Sequence, residues 1–383
     1  MNPKAKRFLI GLLIFLALAI IVMPGYLRRA LIHQTPDIDD YRIFHNRTIM
    51  AGEEQPWEKD SLYNIIGLPE HHLDSFFELD PVAFLIARNG RILFEEYYDG
   101  YGHNSLSGSF SMAKSIVALL VGVAYDEGHI QNLDQPVKDF LPGFGIARDG
   151  EVTIRHLLTM SAGLDWDEQY ATAFSLTTKA YYGSDLEALL KPLGWNYPPG
   201  EIYEYTSGTT QLLAFILEEA TGNNISDYAA EKLWQPLGAM HDALWSLDRE
   251  NGIEKAYCCF NSNARDFARL GQLVLNCGNW KGKQLVSKSF VTEAISPAKY
   301  LKDRQGNVVD YYGYQFWIVH HKGYEVPYFR GILGQYIFII PEWDAIVVRL
   351  GHKRSDYRVD DVPSDIFLYL DMAIEYLEKV SIL

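Results

Sequence analysis

Apolar runs rich in β-branched and aromatic side chains mark two groups of strands that lie far apart in the chain. The first group comprises residues 82–87 and 92–98, which flank Asn89-Gly90, a pair that favours a tight hairpin turn. Three similar runs lie near the carboxyl end, at residues 314–319, 335–340 and 345–350. The pattern predicts antiparallel strands from both ends of the folded body.

Between these two groups, the apolar positions recur mostly at helical spacing. Residues 212–221 end before Gly222 and residues 264–276 end before Gly278, and glycine is common just after a helix. Residues 362–377 form an amphipathic helix. We therefore predict an α+β fold, with an antiparallel sheet built from both chain ends, flanking helices, and an inserted, mainly helical lobe at about residues 130–290.

The first thirty residues have a different character from the rest. Residues 8–23 form an unbroken apolar stretch, and with the residues that follow it approaches the roughly 20 residues that cross a bilayer. No small-residue cleavage site follows this stretch, so we predict that residues 1–29 are a retained membrane anchor rather than a cleaved signal. The body would then lie outside the cytoplasm, in the periplasm or extracellular space, or would be secreted if the segment is cleaved.

The remaining chain divides into a polar linker at residues 30–61 and one large domain at residues 62–383. The 383 residues are 48% apolar, enough for a large core. The formal net charge of −15 opposes binding to nucleic acid. Three cysteines, Cys258, Cys259 and Cys277, are too few for a disulfide framework, and because adjacent cysteines rarely bridge we expect buried free thiols.

Neither a metal nor a cofactor is indicated by the sequence. The pairs His71-His72 and His320-His321 lack the one-face spacing of helical zinc sites, and no cysteine or carboxylate cluster joins them at a useful spacing. Gly102, Gly108 and Gly122 do not form a phosphate-binding or dinucleotide-binding motif.

The strongest chemical signal is Ser111 and Lys114, placed three residues apart at the start of the apolar run 116–124. Residues at this spacing share a helix face. A lysine against an apolar core loses hydration, so its amine approaches neutrality and can take the serine proton. The alternative is a helix-capping serine with a solvent-facing lysine. The same spacing in Ser296-Pro297-Ala298-Lys299, without an apolar helix, shows that spacing alone does not decide.

Two other segments could complete such a site. Tyr205, in Tyr205-Thr206-Ser207, could transfer a proton if a nearby cation lowered its pKa from about 10. A structural role is the alternative, because the chain has 25 tyrosines. Residues 329–335 contain two glycines, which let a backbone approach a ligand and offer amides to an oxyanion, or else mark a bulge at the start of a strand.

The order of these motifs, within a sheet, helical insert and sheet, resembles the serine β-lactamase and penicillin-recognising superfamily. Within it, the chain is similar to class C-like esterases and amidases related to 6-aminohexanoate-dimer hydrolase. Residues 154–164, 199–200 and 263–271 also look like that family. The resemblance covers roughly residue 81 to the carboxyl end.

The resemblance implies a serine hydrolase that cleaves a small-molecule ester or amide through an acyl-enzyme on Ser111, without a cofactor. Lys114 would activate the serine, and Tyr205 would act as general acid and base. The backbone amides of Ser111 and Ile332 would form the oxyanion hole. The residues expected to contact the substrate are Ser207, Phe329, Gly331 and Gly334.

One departure from the family pattern bears on the substrate. Phe329-Arg330-Gly331 stands where relatives usually carry Lys-Thr-Gly, so the cation that grips a substrate carboxylate is missing. Because strand neighbours face opposite sides, we expect Arg330 to point away from the site. This favours uncharged or amine-bearing substrates. The alternatives are a β-lactamase or D,D-peptidase-like enzyme, or a catalytically silent, membrane-tethered binding protein of the same fold.

Overall fold

A computed structural model describes residues 3–8, 22–148 and 150–383. The strands in chain order are β1 (Asn46–Ile49), β2 (Pro81–Arg88), β3 (Arg91–Tyr97), β4 (Ser107–Gly108), β5 (Ile202–Tyr203), β6 (Ala243–Ser246), β7 (Phe260–Ser262), β8 (Asn279–Trp280), β9 (Lys283–Gln284), β10 (Lys302–Asp303), β11 (Trp317–His321), β12 (Tyr324–Gly331), β13 (Gln335–Ile340), β14 (Ala345–Gly351), β15 (Arg358–Val359) and β16 (Val362–Pro363).

The helices are labelled in the same way. They are α1 (Gly25–His33), α2 (Glu70–Phe77), α3 (Met112–Asp126), α4 (Ile154–Leu158), α5 (Leu176–Tyr182), α6 (Leu186–Leu190), α7 (Ser207–Thr221), α8 (Ile225–Ala229), α9 (Ala264–Leu275), α10 (Lys288–Ala294) and α11 (Ser364–Val380).

Both ends of the chain contribute strands to the central sheet, as predicted. Its six strands run in the order β11-β12-β13-β14-β2-β3, and neighbouring strands are antiparallel. The junction between the two chain ends is the pairing of β14 with β2, from Ala345 opposite Arg88 to Leu350 opposite Ala83. The hairpin between β2 and β3 turns at Asn89 and Gly90, whose φ values are 52° and 70°. Positive φ at both positions suits an Asn-Gly hairpin turn.

Alternate residues of the sheet face two separate cores. On one face, Ile337 and Ile346 belong to the large core that includes helices α3, α7 and α9. On the other face, Phe338 and Val347 pack in a second core with α11. Complete burial of a side chain such as Phe338 stabilises the fold by about 1.5–3 kcal/mol.

The helical part lies between β3 and β11 and covers one face of the sheet. Helix α3 is buried from Met112 to Ala124, which follows from a sequence that is apolar on every side. It packs against α7 and α10. Gly122 is required where α3 meets α10, because a Cβ at this position would lie 2.5 Å from the ring of Phe290 in α10. The predicted fold class, a sheet from both chain ends with an inserted helical lobe, is confirmed.

Two segments differ from the predicted elements. The region 324–331 forms strand β12, although it carries Pro327 opposite Ile318 of β11. Residues 30–61, predicted to be a polar linker, are packed on the body instead. They contain the end of α1 and strand β1, which pairs with β6, and Ile38 is fully buried. Backbone pairing and a few isolated buried side chains hold this segment on the body. Its sequence therefore shows no regular spacing of hydrophobic residues.

The predicted membrane anchor cannot be placed in this structure. Most of the apolar stretch, residues 9–21, lies outside the described residues. Within residues 3–8, 22–148 and 150–383, no helix combines the length and apolar character that a membrane crossing requires.

The expectation of free thiols is wrong for two of the three cysteines. Cys258 and Cys259 are joined by a disulfide, whereas Cys277 is free. The expectation rested on the rarity of bridges between neighbours. The chain turns sharply at this point, with Cys259 in the left-handed region at φ 67°.

Candidate active site

Ser111 is held at the amino-terminal end of the buried helix α3. Its φ of −66° and ψ of −5° are helical, and its side chain does not cap the helix. The preceding residue, Phe110, has a φ of 45°, an unusual conformation for a bulky side chain. The alternative interpretation of Ser111 as a capping residue is therefore not supported, and its hydroxyl is left for other partners.

Lys114 lies one turn further along α3 and is only 1% exposed. Its Nζ donates hydrogen bonds to Ser111 Oγ at 3.1 Å, Ser207 Oγ at 3.0 Å and the Tyr257 carbonyl at 2.8 Å. Burial lowers the pKa of Lys114 to about 8, although the carboxylate of Glu168 acts in the opposite direction. A substantial fraction of this amine is consequently neutral near pH 8, as the apolar helix predicts.

Tyr205 approaches the same two residues from the loop before α7. Its hydroxyl is hydrogen-bonded with Ser111, and Lys114 Nζ lies 5.1 Å from the centroid of its ring. The ring packs against Trp317, with 5.3 Å between the ring centroids. The structure thus brings together the serine, the lysine and the tyrosine that the sequence singles out.

The pKa of Tyr205 differs from the sequence-based expectation. Burial and the carboxylate of Glu168 raise the pKa of Tyr205, and the nearby arginines only partly offset this. The phenol is therefore protonated at physiological pH. It is suited to donate a proton to a leaving group, rather than to start the reaction as a phenolate.

Glu168 is a site residue that the sequence reasoning missed. Its carboxylate accepts hydrogen bonds from the Ser207 amide and hydroxyl, each at 2.7 Å, and from Trp166 Nε1 at 2.8 Å. The Tyr170 hydroxyl also donates to it. Because Lys114 donates to Ser207, the three polar side chains form a chain from Lys114 through Ser207 to Glu168. No motif or spacing marks Glu168 in the sequence.

Ile332, predicted to supply an oxyanion-hole amide, lines the cavity together with Ser111. Gly331 before it is needed for a close approach of two backbones, because a Cβ there would lie 2.3 Å from the Ser109 carbonyl oxygen. The glycine thus brings the end of β12 against the loop that carries Ser111. Gly331 also lines the cavity beside Ser111, so its expected contact with the substrate stays a prediction.

Three residues in β12 and in the turn that follows it are not where the sequence placed them. Phe329, expected to contact the substrate, is fully buried against Phe316, with 4.9 Å between ring centroids. Gly334, expected in the same role, is buried with its Cα facing the guanidinium of Arg349. Arg330, expected to point away, lines the cavity beside Ser111. Phe329 and Arg330 do face opposite sides, but the aromatic residue is the one that turns to the core.

Two chambers meet at Ser111. The apolar chamber has a volume of about 850 Å³ including its open mouth, and it is lined by Ala30, Gln34, Pro36, Phe110, Ala171, Thr172, Ala173, Thr177, Thr178, Tyr181, Tyr182, Ser207, Tyr257 and Cys258. The arginine chamber, of about 590 Å³, is lined by Glu168, Tyr205, Trp317, Arg330, Gly331, Arg354 and Arg358. Ser111, Tyr170 and Ile332 line both.

The histidine pairs have partners that sequence spacing does not reveal. His71 and His72 lie 3.4 and 3.2 Å from the carboxylate of Glu375, a residue of α11. The donor atoms of these three residues all lie within 4.8 Å of one another, a grouping that could hold a metal ion. Sequence spacing indicates no carboxylate beside this pair, because Glu375 is distant in sequence and is brought close by the fold. In the second pair, His321 contacts Asp371.

Comparisons with known proteins agree with this geometry. The family described as Beta-lactamase matches residues 77–366. The 6-aminohexanoate-dimer hydrolase of Paenarthrobacter ureafaciens is 28% identical over 285 residues, which cover 70% of this chain and 71% of that protein.

Solved structures show the same fold. A Bacillus anthracis protein with the proposed identity of 6-aminohexanoate-dimer hydrolase superposes with a TM-score of 0.78 at 20% identity, covering 94% of this chain and 97% of that one. A family VIII carboxylesterase superposes with a TM-score of 0.61 at 18% identity, covering 79% of this chain and 94% of that one.

Proposed function

Because this chain belongs to the beta-lactamase family, we propose that it is a serine hydrolase that cleaves an ester or amide bond through a covalent acyl-enzyme on Ser111. The observation that carries the proposal is the convergence of the Ser111 hydroxyl with the Lys114 amine and the Tyr205 phenol. The names of the similar proteins, a 6-aminohexanoate-dimer hydrolase and a carboxylesterase, support hydrolysis as the reaction.

In the acylation step, neutral Lys114 accepts the Ser111 proton while Oγ attacks the carbonyl carbon. The new C–O bond pushes an electron pair onto the carbonyl oxygen, and the amides of Ser111 and Ile332 are proposed to stabilise this oxyanion. As the carbonyl re-forms, the bond to the leaving group breaks. The leaving nitrogen or oxygen takes the Tyr205 proton, and Lys114 returns its extra proton to Tyr205.

Deacylation follows the same path with water as the nucleophile. Water attacks the acyl carbonyl carbon and passes a proton to the base formed by Lys114 and Tyr205. The bond between the acyl carbon and Ser111 Oγ then breaks, and Oγ recovers a proton. The net reaction consumes one water and yields one acid and one amine or alcohol.

Ser207 and Glu168 are proposed to position Lys114 rather than to touch the substrate carbonyl. Ser207 Oγ receives a hydrogen bond from Lys114 and donates one to Glu168. This chain directs the lysine amine towards Ser111. Ser207 also separates the carboxylate of Glu168 from the Lys114 amine, so that burial remains the main influence on the pKa of Lys114.

Labelling with a fluorophosphonate probe tests the proposal directly. We expect the wild-type protein to be labelled, and we expect labelling to vanish in Ser111→Ala. Ser296→Ala is the matched control, because Ser296 starts the other Ser-x-x-Lys sequence, is exposed, and bonds only locally to the Thr292 carbonyl. An unlabelled wild type would instead favour the silent binding protein, and hydrolysis of nitrocefin would favour the β-lactamase alternative.

A further inference from the structure

Three arginines from different parts of the carboxyl-terminal region meet beside Ser111. Arg330 lies at the end of β12, and its guanidinium carbon is 4.4 Å from the centroid of a Trp317 ring. Arg354 follows β14, and Arg358 lies in β15. All three line the arginine chamber, together with the proposed nucleophile.

In the described part of the chain, no carboxylate forms a direct ion pair with these arginines, although the charge of Asp361 acts on Arg358. Within residues 22–148 and 150–383, no ion pair to Arg330, Arg354 or Arg358 is found. Among the described residues, Arg358 donates its hydrogen bond to the backbone carbonyl of Asp361. Glu168 is the one carboxylate among the residues that line the chamber, and its oxygens already accept bonds from Ser207, Trp166 and Tyr170.

The three positive charges are close enough to affect one another. Burial, followed by the charges of Arg330 and Arg354, lowers the pKa of Arg358. Crowding of like charges is unfavourable unless an anion offsets it, and guanidinium groups match the geometry of carboxylates and phosphates. The chamber is therefore built for an anionic group.

The other chamber has the opposite character. None of the residues that line the apolar chamber carries a charge, and its walls are alanines, tyrosines and other weakly polar or apolar side chains. A pocket of this kind accepts an apolar group, which is held by burial of its surface. Ser111 thus lies between an apolar site and a cationic site.

The position of Tyr205 decides which part of the substrate occupies which chamber. Tyr205 lines the arginine chamber but not the apolar chamber. In the proposed mechanism this phenol gives its proton to the leaving group. The leaving group must therefore lie among the arginines, and the acyl group must lie in the apolar chamber.

We propose that the substrate is an amide or ester that joins an apolar acyl group to a leaving group carrying a carboxylate or phosphate, which Arg330, Arg354 and Arg358 bind. This inference rests on the proposed function. It reverses the sequence-based preference for uncharged or amine-bearing substrates, because that preference depended on Arg330 facing away from the site.

Two matched amides test the charge preference. N-octanoylglycine carries a carboxylate on its leaving group, whereas N-octanoylglycinamide has a neutral group of nearly the same size. We expect kcat/KM to be at least about tenfold higher for the acid, as charge-assisted hydrogen bonds imply. The ratio of kcat/KM for the acid to kcat/KM for the amide should fall towards one in Arg354→Gln and at high salt.

N-octanoyl-phosphoethanolamine distinguishes a carboxylate site from a phosphate site. A kcat/KM higher than that of N-octanoylglycine assigns the site to phosphate.

Lys353→Gln is the matched control for Arg354→Gln. It removes one positive charge from the neighbouring position, but Lys353 Nζ bonds to the Glu78 carbonyl and does not line the chamber. The preference for the acid should be the same in this variant as in the wild type. An equal loss in both variants would show a general charge effect and would overturn the assignment to the arginine chamber.

A neutral ester and a binding measurement separate this inference from the proposed function. If p-nitrophenyl octanoate is hydrolysed in a Ser111-dependent manner but the two glycine derivatives react equally, the inference is wrong and the proposed function stands. If neither the ester nor the probe reacts, the proposed function fails. Calorimetry with Ser111→Ala then tests recognition without turnover: tighter binding of N-octanoylglycine than of its amide supports the arginine site, and equal binding overturns it.

Discussion

Lys114 sets the pH range in which the site can act. The neutral amine is the base, and the pKa of Lys114 is about 8, so kcat/KM should rise with pH through about 8 and level off above it. Glu168→Gln removes the charge that raises this pKa, so the rise should move to lower pH. The measurement is a pH profile of kcat/KM on a neutral ester.

A distant carboxylate gives the control for this profile. Glu187 is an exposed residue of α6 that pairs with Lys191, just after the helix, so Glu187→Gln should leave the inflection in place. An inflection that stayed at the wild-type pH in Glu168→Gln would show that the measured group is not Lys114, or that Glu168 does not influence it.

Tyr205 should matter most where the leaving group is a poor one. The raised pKa of Tyr205 keeps the phenol protonated, so its proposed task is to protonate the departing atom. Tyr205→Phe should lower kcat/KM on an amide by about 100-fold or more, but much less on a p-nitrophenyl ester, whose leaving group needs no proton. Steady-state kinetics on both substrates measures the difference. Full activity on both would remove Tyr205 from the mechanism.

For single residues, the sequence predicts a position in the site where one secondary-structure element fixes that position. Ser111 and Lys114 are predictable because one helix fixes both positions. The orientation of Arg330 is not predictable in this way. Alternation along a strand shows that Arg330 and Phe329 face opposite sides, but it does not show which of the two side chains faces the core. Glu168 is invisible to such reasoning, since a loop with no period brings it to Ser207.

At the scale of elements, the join between β12 and the loop before α3 controls the geometry of the site. A Cβ at Gly331 would lie 2.3 Å from the Ser109 carbonyl oxygen, so Gly331→Ala must push the strand away from Ser111. This shift would separate the two proposed oxyanion amides. We expect a fall in kcat of about 10-fold or more with a smaller change in KM, together with a lower melting temperature.

Gly67→Ala serves as the comparison for this variant. Gly67 is exposed, and nothing lies within 4 Å of the Cβ position that the substitution would fill. Its kinetics and melting temperature should stay near those of the wild type. If Gly331→Ala kept full kcat, the approach of β12 to Ser109 would not be needed for the reaction.

The elements themselves follow the sequence where their hydrophobic patterns are strong. Strand β13 and the turn at Asn89 lie where they are predicted, because a continuous run of aromatic and β-branched residues and an Asn-Gly pair leave few alternatives. Strand β12 is predicted only at its carboxyl end, from Phe329, because Pro327 and the charged residues around it weaken the strand pattern. Strand β1 is missed because it is short and has only one buried residue, Ile49.

For the molecule as a whole, the segment before the large domain is part of the site. Ala30, Gln34 and Pro36 line the apolar chamber, and Arg29 donates a hydrogen bond to the Tyr182 carbonyl at 3.3 Å. Helix α1 also packs against α5, whose Tyr181 and Tyr182 line the same chamber. The chain just after the predicted anchor therefore shapes the pocket proposed for the acyl group.

We predict that the full chain is held in a membrane with its folded body outside the cytoplasm. The apolar stretch at residues 8–23 is close to the roughly 20 residues that span a bilayer, and the Cys258–Cys259 disulfide suits an oxidising compartment. The full chain should remain in the membrane pellet after an alkaline carbonate wash. A chain that starts at Pro24 keeps helix α1 and the Pro24 carbonyl that accepts hydrogen bonds from Leu27 and Arg28, so it should be released in soluble form and still react with the fluorophosphonate probe. Release of the full chain, or a mature amino terminus at or beyond residue 24, would contradict the retained anchor.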